Sequence, residues 1–166
     1  MLKLLGTVLV WGGCGMIGVY SAGQMRRRVM FLEEMGRALE LLEHELLLKH
    51  TAIPELLDLL CGACRQQVRE LFLACKMELE KGKSFTYSWW CALEHTNLIE
   101  EDQEVLSSLA QILGQYDARE QGRGLRHLRE ELEHRAVRGR DEARAMGRVY
   151  NVLGLAAGGF LSLSLL

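Results

Sequence analysis

The stretch LLGTVLVWGGCGMIGVYSAGQ, residues 4–24, followed by Met25 and the triplet Arg26-Arg27-Arg28, decides how the remaining sequence is read. Its twenty-one residues carry no charge and are mostly Leu, Val and Gly. As a helix rising ~1.5 Å per residue it would run roughly 30 Å, the hydrocarbon thickness of a bilayer. A lone segment satisfies its backbone polar groups there only as a helix. Arginine is costly in hydrocarbon, so Arg26, Arg27 and Arg28 mark the cytoplasmic boundary of a membrane anchor. The competing reading is a cleaved signal peptide, which carries its positive charge ahead of the apolar region. Here only Lys3 precedes, and the arginines follow the one candidate cleavage site, Tyr20-Ser21-Ala22. The anchor reading fits and the signal-peptide reading does not.

The other end repeats the pattern. Val149 to Leu166 is uncharged and follows Arg138, Arg140, Arg144 and Arg148. It would span roughly 27 Å as a helix, enough for a thin bilayer. Gly154, Gly158 and Gly159 supply the small residues that membrane helices use for close approach. All 22 acidic residues lie between Glu33 and Glu142. The expected division is therefore a membrane helix in 1–25, a cytoplasmic domain in 26–148 and a second membrane helix in 149–166. Arg26, Arg27, Arg28, Arg144 and Arg148 set the topology, with both termini across the membrane.

Composition agrees. A hydrophobic content of 49% averages two apolar ends with a polar centre. A net charge of −2 argues against a nucleic-acid partner, which calls for a basic face. One proline in the chain, with abundant Leu, Glu and Arg, predicts an all-α domain, a cytoplasmic helical bundle of about six helices between the two anchors.

Within that domain, Leu32, Met35, Leu39, Leu42 and Leu46 recur every three or four residues, so one helix leaves the membrane and continues to about residue 49. Pro54 opens a short helix that buries Leu56, Leu57, Leu59 and Leu60 in part. Residues 66–80 follow, with Val68, Leu71, Phe72, Cys75 and Leu79 on one face. Gly82 suits a left-handed C-cap and Ser84 an N-cap. The next helix holds Phe85, Trp89 and Leu93 at four-residue spacing, with Trp90 beside them. Asn97-Leu98-Ile99-Glu100 resembles a capping box opening a helix to Leu113, and Gly114 ends it. Asp117 caps a last helix with a Leu125, Leu128, Leu132 stripe, which fades after Arg135 into a solvated neck.

Candidates for chemistry are weak. Cys61-Gly62-Ala63-Cys64 has redox or zinc half-site spacing, but no strand precedes it, and Cys75, Cys91 and His95 match no zinc module. The cysteines read as small apolar residues on helix faces. The five histidines sit among charged neighbours and read as surface residues. Gly122 and Gly124 lack the preceding strand of a dinucleotide loop. No catalytic set, cofactor site or metal site is expected. Arg119, Arg123, Arg126 and Arg129 form a stripe at near-helical spacing, either pairing with Glu120, Glu130, Glu131 and Glu133 on a solvated face or meeting an acidic partner.

The order of local patterns is informative. Ala38-Leu39-Glu40-Leu41-Leu42-Glu43-His44-Glu45 precedes Thr51-Ala52-Ile53-Pro54-Glu55, then Gly82-Lys83-Ser84-Phe85 with Trp89–Leu93, then Glu101-Asp102, Leu113-Gly114 and Asp117. Between two anchors, this order resembles the stage III sporulation protein AB family of endospore-forming bacteria. The resemblance implies a cytoplasmic domain similar to the F-type platform subunit of type II secretion and type IV pilus machines, a six-helix bundle. It further implies a non-enzymatic part of the channel complex between mother cell and forespore. Such a protein would sit in the outer forespore membrane with its domain facing the mother-cell cytoplasm. Its implied partners are a secretion-type ATPase and other stage III sporulation channel subunits; the sequence is equally compatible with self-association. The alternative function is a membrane-tethered metal- or redox-sensing helical protein using Cys61, Cys64, Cys75 and Cys91.

Overall fold

In the computed structural model the described backbone covers residues 2–49, 51–114 and 117–165, with side chains described for 23–47, 49, 51–114, 117 and 119–145. Six helices account for the described secondary structure: α1 (Leu2–Lys49), α2 (Ile53–Ala63), α3 (Gln66–Glu80), α4 (Phe85–Glu94), α5 (Glu100–Leu113) and α6 (Ala118–Leu165). No strand occurs among the described residues. The chain forms two compact units, Met1–Val29 with Val137–Leu166, and Met30–Ala136. Among the described residues no helix is long and apolar enough to cross a membrane. The candidate span 149–166, and 4–24 apart from Gly23 and Gln24, lie outside the residues whose side chains are described.

The second unit holds the core, and its helices are bounded by the local chemistry of the chain. α1 has no breaker before Lys49, so Leu32, Met35, Leu39 and Leu42 form one continuous buried stripe. Pro54 sits in the first turn of α2, where its missing N–H costs nothing. Gly82 takes φ 81°, the left-handed conformation that only glycine adopts without strain, and ends the α3 turn. Ser84 Oγ accepts a hydrogen bond from the Tyr87 N–H at 3.3 Å and starts α4. Asp117 Oδ1 accepts from the Arg119 N–H at 3.0 Å and starts α6.

Two boundaries differ from expectation. Asn97 does not cap α5; Ile99 occupies the N-cap without a side-chain bond, and Glu100, Glu101 and Asp102 supply negative charge to the first turn instead. Leu59 is exposed while Leu56, Leu57 and Leu60 are buried. An apolar run of that density cannot fit on one face of an 11-residue helix.

Helices α2 to α5 pack each against the next. Trp89 lies at their centre. It is fully buried, its ring 5.7 Å from Phe72 of α3 and 6.2 Å from Phe85. Its Nε1–H donates to the Leu106 carbonyl of α5 at 2.8 Å. One side chain therefore ties three helices together, apolar by area and polar at its one donor. The neighbouring Trp90 is 51% exposed.

Within this unit α6 runs antiparallel to α1, with Glu40 beside Arg129, Glu43 beside Arg126 and Leu47 beside Gly122. Glycines permit the close approach. A Cβ at Gly124 would meet three side-chain atoms of Ile112, the nearest at 2.9 Å, whereas one at Gly36 meets only Arg129 Cγ at 4.0 Å. The two sites predict opposite signs. Gly36→Ala should raise stability by about 0.5–1 kcal/mol, since alanine favours the helix and loses less freedom on folding. Gly124→Ala should lower it by about 1–3 kcal/mol through overpacking against a β-branched neighbour. Urea unfolding of the two variants checks both signs.

Candidate functional site

The arginine stripe lies on α6, and its members differ in surroundings. Arg119 is exposed at the first turn. Arg123 is 66% exposed and pairs with Glu120 one turn before it, as the local spacing suggests. Arg126 and Arg129 instead reach across to α1. Arg126 Nη1 lies 3.3 Å from Glu43 Oε1 and Arg129 Nη1 lies 3.7 Å from Glu40 Oε1. Glu43 is mostly covered, so the Arg126 pair is partly withdrawn from solvent. The stripe thus divides into an exposed end at Arg119 and Arg123, where Arg123 pairs only within α6, and an end paired with α1. Sequence spacing within α6 carries no signal of the second arrangement, which depends on antiparallel contact between distant segments.

A second polar cluster went unmarked in the sequence. Asp102 is fully buried, and Arg135 Nη1 lies 3.4 Å from its Oδ1. The same guanidinium engages Glu131 Oε1 through Nε at 2.8 Å and lies 3.9 Å from Glu101 Oε2. The expected solvated neck therefore begins later, because Arg135 is largely covered and Ala136 and Gly139 are buried. A signal was available: Asp102, Leu106, Leu109 and Leu113 share one helical stripe, so the carboxylate had to point inward. Glu45 is the other buried carboxylate, held by Lys49 Nζ at 2.8 Å and Thr51 Oγ1 at 3.4 Å. The Lys49 hydrogen bond keeps its pKa below the usual carboxylate value despite burial. Glu34 ties α1 to the α2–α3 corner, accepting from the Arg65 N–H at 3.0 Å and Arg37 Nη2 at 2.9 Å. Among the described residues no buried side-chain nitrogen or oxygen lacks a partner.

The cysteines behave as apolar residues. Burial pushes the thiol pKa of Cys61 up, that of Cys64 to about 11 and that of Cys75 to about 12. These thiols stay protonated near neutral pH, whereas metal binding and thiol exchange both need thiolate. Among the described residues no three His, Cys, Asp or Glu side chains form a group that could hold a metal ion. The metal- or redox-sensing alternative therefore finds no support. His44, His95, His127 and His134 are exposed.

The arginines expected to fix topology lie in the unit formed by Met1–Val29 and Val137–Leu166. Arg26 and Arg27 are exposed and Arg28 is half-buried. Arg144 Nη1 lies 3.6 Å from Asp141 Oδ1 on an exposed turn of α6. The Arg148 side chain lies outside the described residues.

These features define an all-α protein with two 48-residue helices and four short ones, three of which Trp89 ties together. The family model for stage III sporulation protein AB matches residues 3–166, and the chain belongs to that family. A solved structure of a stage III sporulation protein AB is 24% identical to it, covering 71% of this chain and 97% of that one with a TM-score of 0.65. That likeness establishes the shared fold. No match was found among curated proteins.

Proposed function

We propose that this chain is a non-enzymatic membrane component of the sporulation channel complex between mother cell and forespore. Residues 4–24 and 149–166 cross the outer forespore membrane, and the domain between them faces the mother-cell cytoplasm. Arg26, Arg27, Arg28, Arg144 and Arg148 hold that orientation. The bundle acts as a platform that binds a secretion-type ATPase and other stage III sporulation subunits, passing the motor's work to the membrane assembly. The observation that carries this reading is the family match, which runs from residue 3 to 166 through both uncharged segments and the bundle. The Asp102–Arg135 cluster and the Arg126 and Arg129 pairs support it, since each joins one helix to another.

The exposed end of the arginine stripe is the surface proposed for the ATPase. Exposed charges steer encounter and add salt-sensitive affinity, and they contribute little to folding. Arg126 is unsuited to a test, because a carboxylate there would face Glu43 and damage the bundle. Arg119→Glu with Arg123→Glu avoids that. This double variant should retain its helical circular dichroism and lose most of its co-purification with the ATPase at low salt. The wild-type complex should weaken as salt rises. Unchanged binding by the folded double variant would clear this face. Absence of binding by the wild type would remove the coupling role.

A further inference from the structure

The unit containing both helix ends carries a concentration of charge that topology alone does not require. Between residues 26 and 29 of α1 and 137 and 145 of α6 stand six arginines, Arg26, Arg27, Arg28, Arg138, Arg140 and Arg144, against two carboxylates, Asp141 and Glu142. The two segments meet there. A Cβ on Gly139 would lie 2.9 Å from Val29 Cγ2, so glycine brings α6 against α1 and sets the arginines of both at one level. Arg26, Arg27, Arg138, Arg140 and Arg144 are exposed. An apolar side chain stands open among them, Val137 at 44% exposure.

We infer that this collar binds anionic phospholipid headgroups. Guanidinium groups around an exposed apolar side chain suit the boundary between acyl chain and phosphate, where the stem of arginine packs and its head pairs with a phosphodiester. An acidic protein partner would satisfy the charge as well. The uncharged segments on the far side of the collar, 4–24 and 149–166, favour lipid, because they bring the bilayer surface to these residues. The inference rests on the reading that both segments cross the membrane. Each arginine near an anionic surface contributes about fivefold in affinity at low salt. The collar would thereby select phosphatidylglycerol or cardiolipin around the anchor and hold the helix pair at a fixed depth.

The test uses the purified full chain, reconstituted in nanodiscs of phosphatidylcholine mixed equally with phosphatidylglycerol. Lipids retained through delipidation are then identified by mass spectrometry. Retained phosphatidylglycerol should exceed phosphatidylcholine about fivefold or more at low salt, and the excess should shrink as salt rises. Arg26→Gln with Arg27→Gln should lower that ratio about fivefold or more, towards equal retention of the two lipids, with circular dichroism unchanged. The pair Arg26→Lys with Arg27→Lys should keep it. Equal retention of both lipids by a reconstituted wild type would overturn the inference while leaving the membrane reading intact. An unchanged ratio in the Gln pair, or an equal loss in the Lys pair, would also overturn it. Failure to enter any bilayer would overturn the membrane reading and this inference together.

Discussion

Replacing Trp89 by alanine lowers the unfolding free energy by about 3–5 kcal/mol, the usual consequence of truncating a buried aromatic. The change empties the space between Phe72 and Phe85 and removes the donor that meets the Leu106 carbonyl. Against a domain stability of about 5–15 kcal/mol, that is a large share. The adjacent Trp90 supplies the control. It is half exposed, and Trp90→Ala should change stability by no more than about 0.5 kcal/mol. Urea unfolding of the full chain, followed by circular dichroism at 222 nm because the variants alter the fluorophore, separates the two. Equal midpoints for the two variants would contradict the packing described here.

The second large effect is expected at Arg135. Arg135→Met leaves the Asp102 carboxylate buried without its guanidinium, and should cost about 3 kcal/mol. This is the lower end of the range for broken buried pairs, because Arg135 keeps some contact with solvent. Adding Asp102→Ala removes that buried carboxylate, so the double variant should recover part of the loss. Such recovery is strongly non-additive, as expected for residues in one network. Additive losses would place the stabilisation elsewhere, for example in the Glu131 contact alone.

Much of the bundle was legible because local rules and the fold agree. Spacing of three and four residues marked Leu32, Met35, Leu39 and Leu42, and chain stereochemistry marked Gly82. The hydrogen-bonding reach of Ser84 and Asp117 marked two helix starts. What was not legible depends on neighbours far away in sequence. The partners of Arg126 and Arg129 lie on α1, and nothing in α6 announces them. Gly122 and Gly124 showed no nucleotide-loop context, but their use as contact points for Leu47 and Ile112 appears only when the helices meet. The expected burial of Leu59 failed because an apolar run was counted without its angular spread. Asp102 shows the converse: its position on the α5 stripe was readable, but acidic residues in a first helical turn usually face solvent, and that habit concealed it. The order of motifs carried the family, which no single site could do.

Every functional statement above depends on two spans holding the bundle in the cytoplasm, and accessibility labelling tests that arrangement most directly. Asp102 is fully buried and unsuitable as a probe, whereas Glu104, on the same helix, is exposed. In a chain whose native cysteines are replaced, Leu2→Cys and Glu104→Cys would be offered a membrane-impermeant maleimide in intact cells carrying the protein in the cell membrane. The account predicts labelling at Leu2→Cys without lysis, and at Glu104→Cys only after permeabilisation. Labelling of Glu104→Cys in intact cells would contradict it.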